Sequence, residues 1–129
     1  GSAYGAVSPV AVHSPLFYVE ARLPAGATLP LPDEHRQRAL YVVDGVVACG
    51  ADVRTAGTML VFREGAPATV EGKTDATVML LGGAPLDGDR YIDWNFVSSS
   101  RERIERAKQL WRDRAFPLVP GDETEFIPL

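Results

Sequence analysis

The side chains able to do chemistry in this chain are few and scattered. His13 and His35 are its only histidines and lie far apart in sequence. A shared metal or proton-transfer site would need tertiary convergence, so each reads first as a surface histidine. The single cysteine, Cys49, follows an apolar run beside Gly50, with no basic neighbour to favour thiolate. It reads as a small half-buried apolar residue rather than a reactive thiol. Ser98-Ser99-Ser100 is accounted for as the entry to a helix and is no evidence for a nucleophile. Gly82-Gly83 with Gly88 is not a phosphate loop, because no Lys-Ser/Thr follows and no helix begins there. Trp94 and Trp111 read as core or helix-packing anchors. Near the C-terminus, Arg101, Arg103, Arg106, Lys108, Arg112 and Arg114 outnumber Glu102, Glu105 and Asp113 on a chain of net charge −4. A solvated helix face explains that excess; a docking surface for an acidic partner is the alternative.

Whatever site exists must be built on one small scaffold. A chain of 129 residues is the size of a single domain with one continuous core. Its 46% hydrophobic and 23% charged residues place it among globular proteins. The negative net charge argues against a direct nucleic-acid partner, which needs a basic surface. One cysteine excludes an internal disulfide and suits a reducing compartment. No apolar run approaches the ~18 residues that span a bilayer, and no signal-peptide layout opens the chain. The expected location is cytoplasmic, with no membrane partner.

Two regimes divide the sequence. From Pro15 to Gly83, short β-type runs are separated by turn signals roughly every 8–12 residues, the pattern of a sandwich or barrel. Leu16–Leu23 alternates, with Phe17, Val19, Ala21 and Leu23 on one face and Glu20 and Arg22 on the other. Ala39–Val43 and Val46–Cys49 flank Asp44-Gly45, which predicts a two-residue hairpin turn with positive φ. Thr58–Phe62, Ala68–Glu71 and Ala76–Leu81 are further strands, the last stopped by Gly82-Gly83. After Ser98 the period becomes helical. Ser99 with Glu102 predicts a capping box, and Ile104, Ala107 and Trp111 share the buried face. The helix should end before Phe116-Pro117. The expected fold is all-β, a closed antiparallel barrel or jelly roll with one C-terminal α-helix. The expected layout is a single domain over 1–129, with barrel at about 15–97, helix at 98–115 and extended tail at 116–129.

Folding physics does not account for the strings Leu81-Gly-Gly-Ala-Pro-Leu-Asp-Gly88, Trp94-Asn-Phe-Val-Ser-Ser-Ser100, Phe116-Pro-Leu-Val-Pro-Gly-Asp-Glu123 and Glu125-Phe-Ile-Pro-Leu129. They resemble the C-terminal end of the pirin family. The resemblance runs back through Arg38-Ala-Leu-Tyr-Val-Val-Asp-Gly45 to Gly1, where pirins often carry Gly-x-Ala-Tyr-Gly. It implies a double-stranded β-helix (cupin) barrel, the C-terminal one of two. It also implies that iron belongs to the N-terminal cupin barrel, outside this chain, and is associated in some members with quercetin dioxygenase activity. Other members act as redox-sensitive co-regulators or bind protein partners.

Cupin motifs supply three imidazoles and a carboxylate to a metal. Laid from Gly26 to Gly45, the first motif places its two histidines at Pro32 and Glu34 and its glutamate at Arg38. Laid on Gly57 and Gly65, the second places its histidine at Ala68. Pro32 and Ala68 have no donor atom, and Arg38 brings a permanent positive charge. The expectation is a barrel without metal or other cofactor. Under this overlay Glu34 and Arg38 are expected to point inward, as a rim salt bridge filling the vacated site; side chains turned to solvent are the other plain reading. The functional alternative is a pocket for a small anion or an organic acid, with Arg38 as the clamp.

Three functions follow as expectations: the structural and interaction half of a pirin-like protein, part of a quercetin dioxygenase whose iron lies elsewhere, and a small-anion binding module. The expected partner is the N-terminal cupin half or a second copy in a homodimer, with the tail Phe126-Ile127-Pro128-Leu129 taking part. A further protein partner remains open.

Overall fold

A computed structural model describes all residues, Gly1–Leu129. They fall into two compact units, Gly1–Pro85 and Leu86–Leu129. No helix is long and apolar enough to cross a membrane.

The first unit is a jelly roll of two four-stranded antiparallel sheets. One sheet has the order β3 (Leu16–Leu23), β10 (Ala76–Gly83), β5 (Gln37–Asp44), β8 (Met59–Val61). The other has the order β4 (Thr28–Pro30), β9 (Thr69–Gly72), β6 (Val46–Cys49), β7 (Asp52–Thr55). A separate hairpin, β1 (Ser2–Ala3) with β2 (Ala6–Val7), precedes them. Successive strands therefore pass from sheet to sheet, apart from the β6–β7 hairpin. Side-chain alternation builds the core between the sheets. Leu40, Val42, Val78 and Leu80 come from one sheet and Val47 and Val70 from the other, and all six are fully buried. Burying each of these side chains contributes about 1.5–3 kcal/mol. On β3 the alternation follows the expected faces, with Phe17 and Leu23 buried and Glu20 and Arg22 exposed.

Two turn expectations need correction. Asp44-Gly45 does not close a hairpin, because β5 and β6 lie in different sheets. Gly45 does have the expected positive φ, at +80°, but it makes a corner between sheets where a Cβ would stand 2.3 Å from the Asp75 carbonyl oxygen. Positive φ is necessary for a type I′ turn without being specific to it. The tight hairpin that follows is instead at Gly50-Ala51, joining β6 to β7.

Gly82-Gly83 does not stop β10 either; the strand runs through both glycines. Gly82 pairs with Phe17 on one side and Arg38 on the other. A Cβ there would lie 2.1 Å from the Gln37 carbonyl oxygen and 2.6 Å from the Phe17 ring. The absent side chain is what lets the strands close at this point.

The second unit holds a hairpin of β11 (Tyr91–Asp93) and β12 (Phe96–Ser98) followed by α1 (Arg101–Arg112). The sequence pattern assigns this hairpin to the barrel, whereas it clusters with the helix. The helix is also shorter than 98–115, and its N-cap is Ser100 rather than Ser99. The Ser100 hydroxyl accepts from the Arg103 amide at 3.2 Å and donates to the Glu102 carboxylate at 2.5 Å. All three consecutive serines carry a capping hydroxyl, and backbone direction, rather than the Ser99-to-Glu102 spacing, chooses between them. Ile104 is buried, with Ala107 and Trp111 half-buried on the same face. Lys108 ties the helix to β11 through Asp93 at 2.7 Å.

Replacing Gly82 by Ala is expected to destabilise the barrel by about 1–3 kcal/mol through overpacking. Gly88→Ala, where an added Cβ meets nothing, should stay within about 0.5 kcal/mol. Urea unfolding followed by circular dichroism measures both.

Candidate functional site

The four positions singled out by the cupin overlay converge. Pro32, Glu34, Arg38 and Ala68 all line one hollow of about 560 Å³ in the first unit. Strand β5 carries Arg38 at an inward position of the alternation that also buries Leu40 and Val42. The loop after β4 carries Pro32 and Glu34, and the loop before β9 carries Ala68. The Leu31 amide donates to the Ala68 carbonyl at 2.9 Å, joining these two loops.

Within the hollow, Arg38 is 4% exposed. Its Nη1 donates to the Pro32 carbonyl at 3.2 Å, and its Nη2 donates to the Ala66 carbonyl. One guanidinium thus ties β5 to both loops. Its Nε is buried without a hydrogen-bond partner.

Glu34 and Arg38 form no ion pair, so the expected rim salt bridge is corrected. Glu34 is exposed, and its carboxylate accepts from the Tyr4 amide at 3.1 Å. The alternative of both side chains turned to solvent holds for Glu34 alone. His35 is likewise corrected from a surface residue to one 7% exposed. Its Nε2 lies 2.9 Å from the Ser2 carbonyl oxygen, and its ring packs on Phe17 at 5.1 Å between centroids. The N-terminal hairpin covers it, and nothing local in the loop sequence signals that cover. His13 is exposed, as expected.

Sequence reasoning missed Tyr4 and Ala66. Tyr4 also lines the hollow and adopts a φ of +52° in the turn from β1 to β2, a conformation that favours glycine. Its hydroxyl donates to the Pro30 carbonyl at 2.7 Å. Burial first, and then the Glu34 carboxylate, push that hydroxyl's pKa above the ordinary tyrosine value, so it stays a donor at neutral pH. The available signal was Tyr4-Gly5 between two short apolar runs. Ala66 acts through its carbonyl, which side-chain chemistry cannot announce.

Metal chemistry does not fit this donor set. The four positions bring one carboxylate, one guanidinium and no imidazole, and no three His, Cys, Asp or Glu side chains gather in the chain. A fixed cation beside the other positions opposes a second cation. Burial, and then Asp52, raise the pKa of Cys49, which keeps it a thiol.

The second unit has its own aromatic cluster. Trp94 and Trp111 meet edge to face at 4.8 Å, Phe116 stacks with Phe96 at 6.1 Å, and Phe126 stacks on Trp111 at 5.6 Å. The Trp111 indole donates to the Ile127 carbonyl at 2.8 Å. Both tryptophans are therefore packing anchors, and the tail folds back on its own helix.

Comparisons with known proteins bear on this arrangement. A family model described as the pirin C-terminal cupin domain matches residues 18–117. A pirin-like protein of Caulobacter vibrioides is 46% identical over the whole chain, which spans 44% of that relative. A crystal structure of a quercetin 2,3-dioxygenase from Acinetobacter baumannii superposes with a TM-score of 0.81 at 27% identity, covering 100% of this chain and 44% of that one. A structure from Geobacillus kaustophilus gives 0.58 at 28% identity over 69% of this chain and 39% of that one. The chain thus spans less than half the length of each.

A double-mutant cycle on Glu34→Ala and Arg38→Lys should give a coupling energy below about 0.5 kcal/mol, because each side chain bonds to other partners and not to its neighbour. Arg38→Lys alone should cost about 1–3 kcal/mol, since a lysine cannot donate to both carbonyls in the same geometry. Chemical unfolding of the three variants checks both values.

Proposed function

Because this chain belongs to the pirin family, as its C-terminal cupin domain, we propose that it serves as a metal-free structural and protein-docking barrel. The observation that carries this reading is Arg38. Where a cupin places a carboxylate ligand, this chain buries a guanidinium that holds two loops by their carbonyls. The side chain does the bracketing that a metal does elsewhere, without offering a coordination site. Elemental analysis after mild dialysis should find well below one iron, zinc, nickel or copper per chain. One tightly held metal per chain, lost on His35→Ala or Glu34→Ala, would overturn the reading.

A second reading is supported by the relative named as a quercetin 2,3-dioxygenase. In it the whole protein is an oxygenase, with iron in an N-terminal cupin half outside these residues. This chain then supplies a folded support and no ligand. The isolated chain should consume no oxygen with quercetin.

For the docking role, Val7, Val10, Val12 and Tyr18 are exposed and line a broad hollow of about 530 Å³ on the first unit. This grouping of exposed apolar side chains supports a docking role. It docks on a second cupin barrel: the N-terminal half in a two-barrel protein, or a second copy for the chain alone. Light scattering at micromolar concentration should give a dimer, converted to monomer by Val10→Glu. A monodisperse wild-type monomer would retire the idea. Since Phe126 is engaged with Trp111, any part the tail plays falls to the exposed Ile127 and Leu129. A dimer that survives truncation after Gly121 would discard that part.

A further inference from the structure

Arg38 carries a full charge that its surroundings do not neutralise. It is 4% exposed and takes part in no ion pair. Two neutral carbonyls accept from its Nη atoms, and its Nε has no partner. Carbonyl dipoles solvate a cation without cancelling its charge, and burying an uncompensated ion is costly. A lysine could escape by losing its proton; an arginine cannot. The neighbouring carboxylates are engaged elsewhere or face water. Glu34 accepts from the Tyr4 amide, Glu64 pairs with Arg36 at 3.2 Å, and Asp33 is exposed. No carboxylate of the chain pairs with Arg38, so neutralising its charge would fall to an anion from outside.

Arg38 lines two hollows, and the one it shares with Pro32 and Ala68, about 560 Å³, is large enough for a small organic molecule. Besides its charged side chains, His35 and Thr69, its lining includes Tyr4, Leu31, Pro32, Pro67 and Ala68. The geometry points to a binding site for a small organic carboxylate with an apolar body. The carboxylate pairs with the N–H groups of Arg38 that the Pro32 and Ala66 carbonyls leave unspent. The apolar body lies against Tyr4, the prolines and Ala68. Inorganic phosphate fits less well. The hollow offers no lysine, its second guanidinium, Arg36, is paired with Glu64, and Asp33 and Glu34 at its rim repel a dianion. The site goes beyond the architectural role; metal content measured on the same preparation keeps the two readings separable.

The test uses the whole chain with sodium benzoate as probe, against inorganic phosphate and sodium chloride at matched ionic strength. Benzoate should raise the melting midpoint saturably, while the other two salts should not. The Arg38 Nε–H resonance should move along the same titration curve in the wild-type protein. Ala68→Leu, which fills the hollow and leaves Arg38 in place, should weaken binding ~10-fold or more. Arg38→Gln should abolish the saturable response. The assignment is overturned if benzoate gives no saturable shift, if phosphate matches it, or if the Arg38 resonance stays fixed while the midpoint rises. Unchanged benzoate affinity in a folded Ala68→Leu variant would also overturn it. The resonance measurement needs no variant, so a failure of either substitution to fold leaves the decision intact.

Discussion

The barrel depends on how closely three strands approach at Gly82. Strand β10 is paired on both edges along most of its length, to β3 and to β5, and it carries the buried Val78 and Leu80. At Gly82 the pairing brings Phe17 and Arg38 to either side of a residue with no side chain. A single added carbon would strike the Gln37 carbonyl and the Phe17 ring together. Close packing leaves little room for such an atom, because interiors relax by tenths of an ångström rather than by an atom's width. The same contact places the Phe17 ring beside His35 and sets the start of β5, from which Arg38 reaches the hollow.

From that fixed base, Arg38 makes the loops part of the barrel. Strand pairing alone does not hold the residues between β4 and β5, or those between β8 and β9. Carbonyls from each accept from one guanidinium, and the Leu31 amide closes the ring through Ala68. Tyr4 adds a third clasp, its strained backbone held by hydrogen bonds to Glu34 and Pro30. A non-glycine residue in the left-handed region persists where its surroundings over-determine it, and here both its amide and its hydroxyl are engaged.

How much of this the sequence discloses depends on the range of the interaction. Alternation on Leu16–Leu23 is local, so both its bounds and its faces are legible. Positive φ at Gly45 is local too, but whether the chain then turns back or crosses to another sheet is decided by Asp75 and Ala76, far along the chain. The apolar run Ala76–Leu81 reads as ending at Gly82-Gly83 because glycine usually weakens a strand; here the neighbours require it. In the site, the overlay of turn glycines brings Pro32, Glu34, Arg38 and Ala68 to one hollow. It cannot say which side chains point inward. Glu34 turns outward because a backbone amide from residue 4 competes for its carboxylate, and His35 turns inward because the first hairpin covers it.

The glycine framework and the donor set answer to different constraints, which is why one can stand without the other. Gly26, Gly45, Gly57 and Gly65 all have positive φ, a backbone requirement of the corners they form whatever the hollow contains. Side chains at the ligand positions answer only to the contents of that hollow. Once imidazoles are absent, the positions must still be filled or satisfied, since an open polar cavity leaves backbone carbonyls without partners. A long side chain with several donors serves two carbonyls at once, and arginine is the residue whose planar donors suit that task. Its permanent charge is the cost of the solution. The field of that charge opposes a cation in the hollow and favours an anion, which is the electrostatic basis of the proposed carboxylate site.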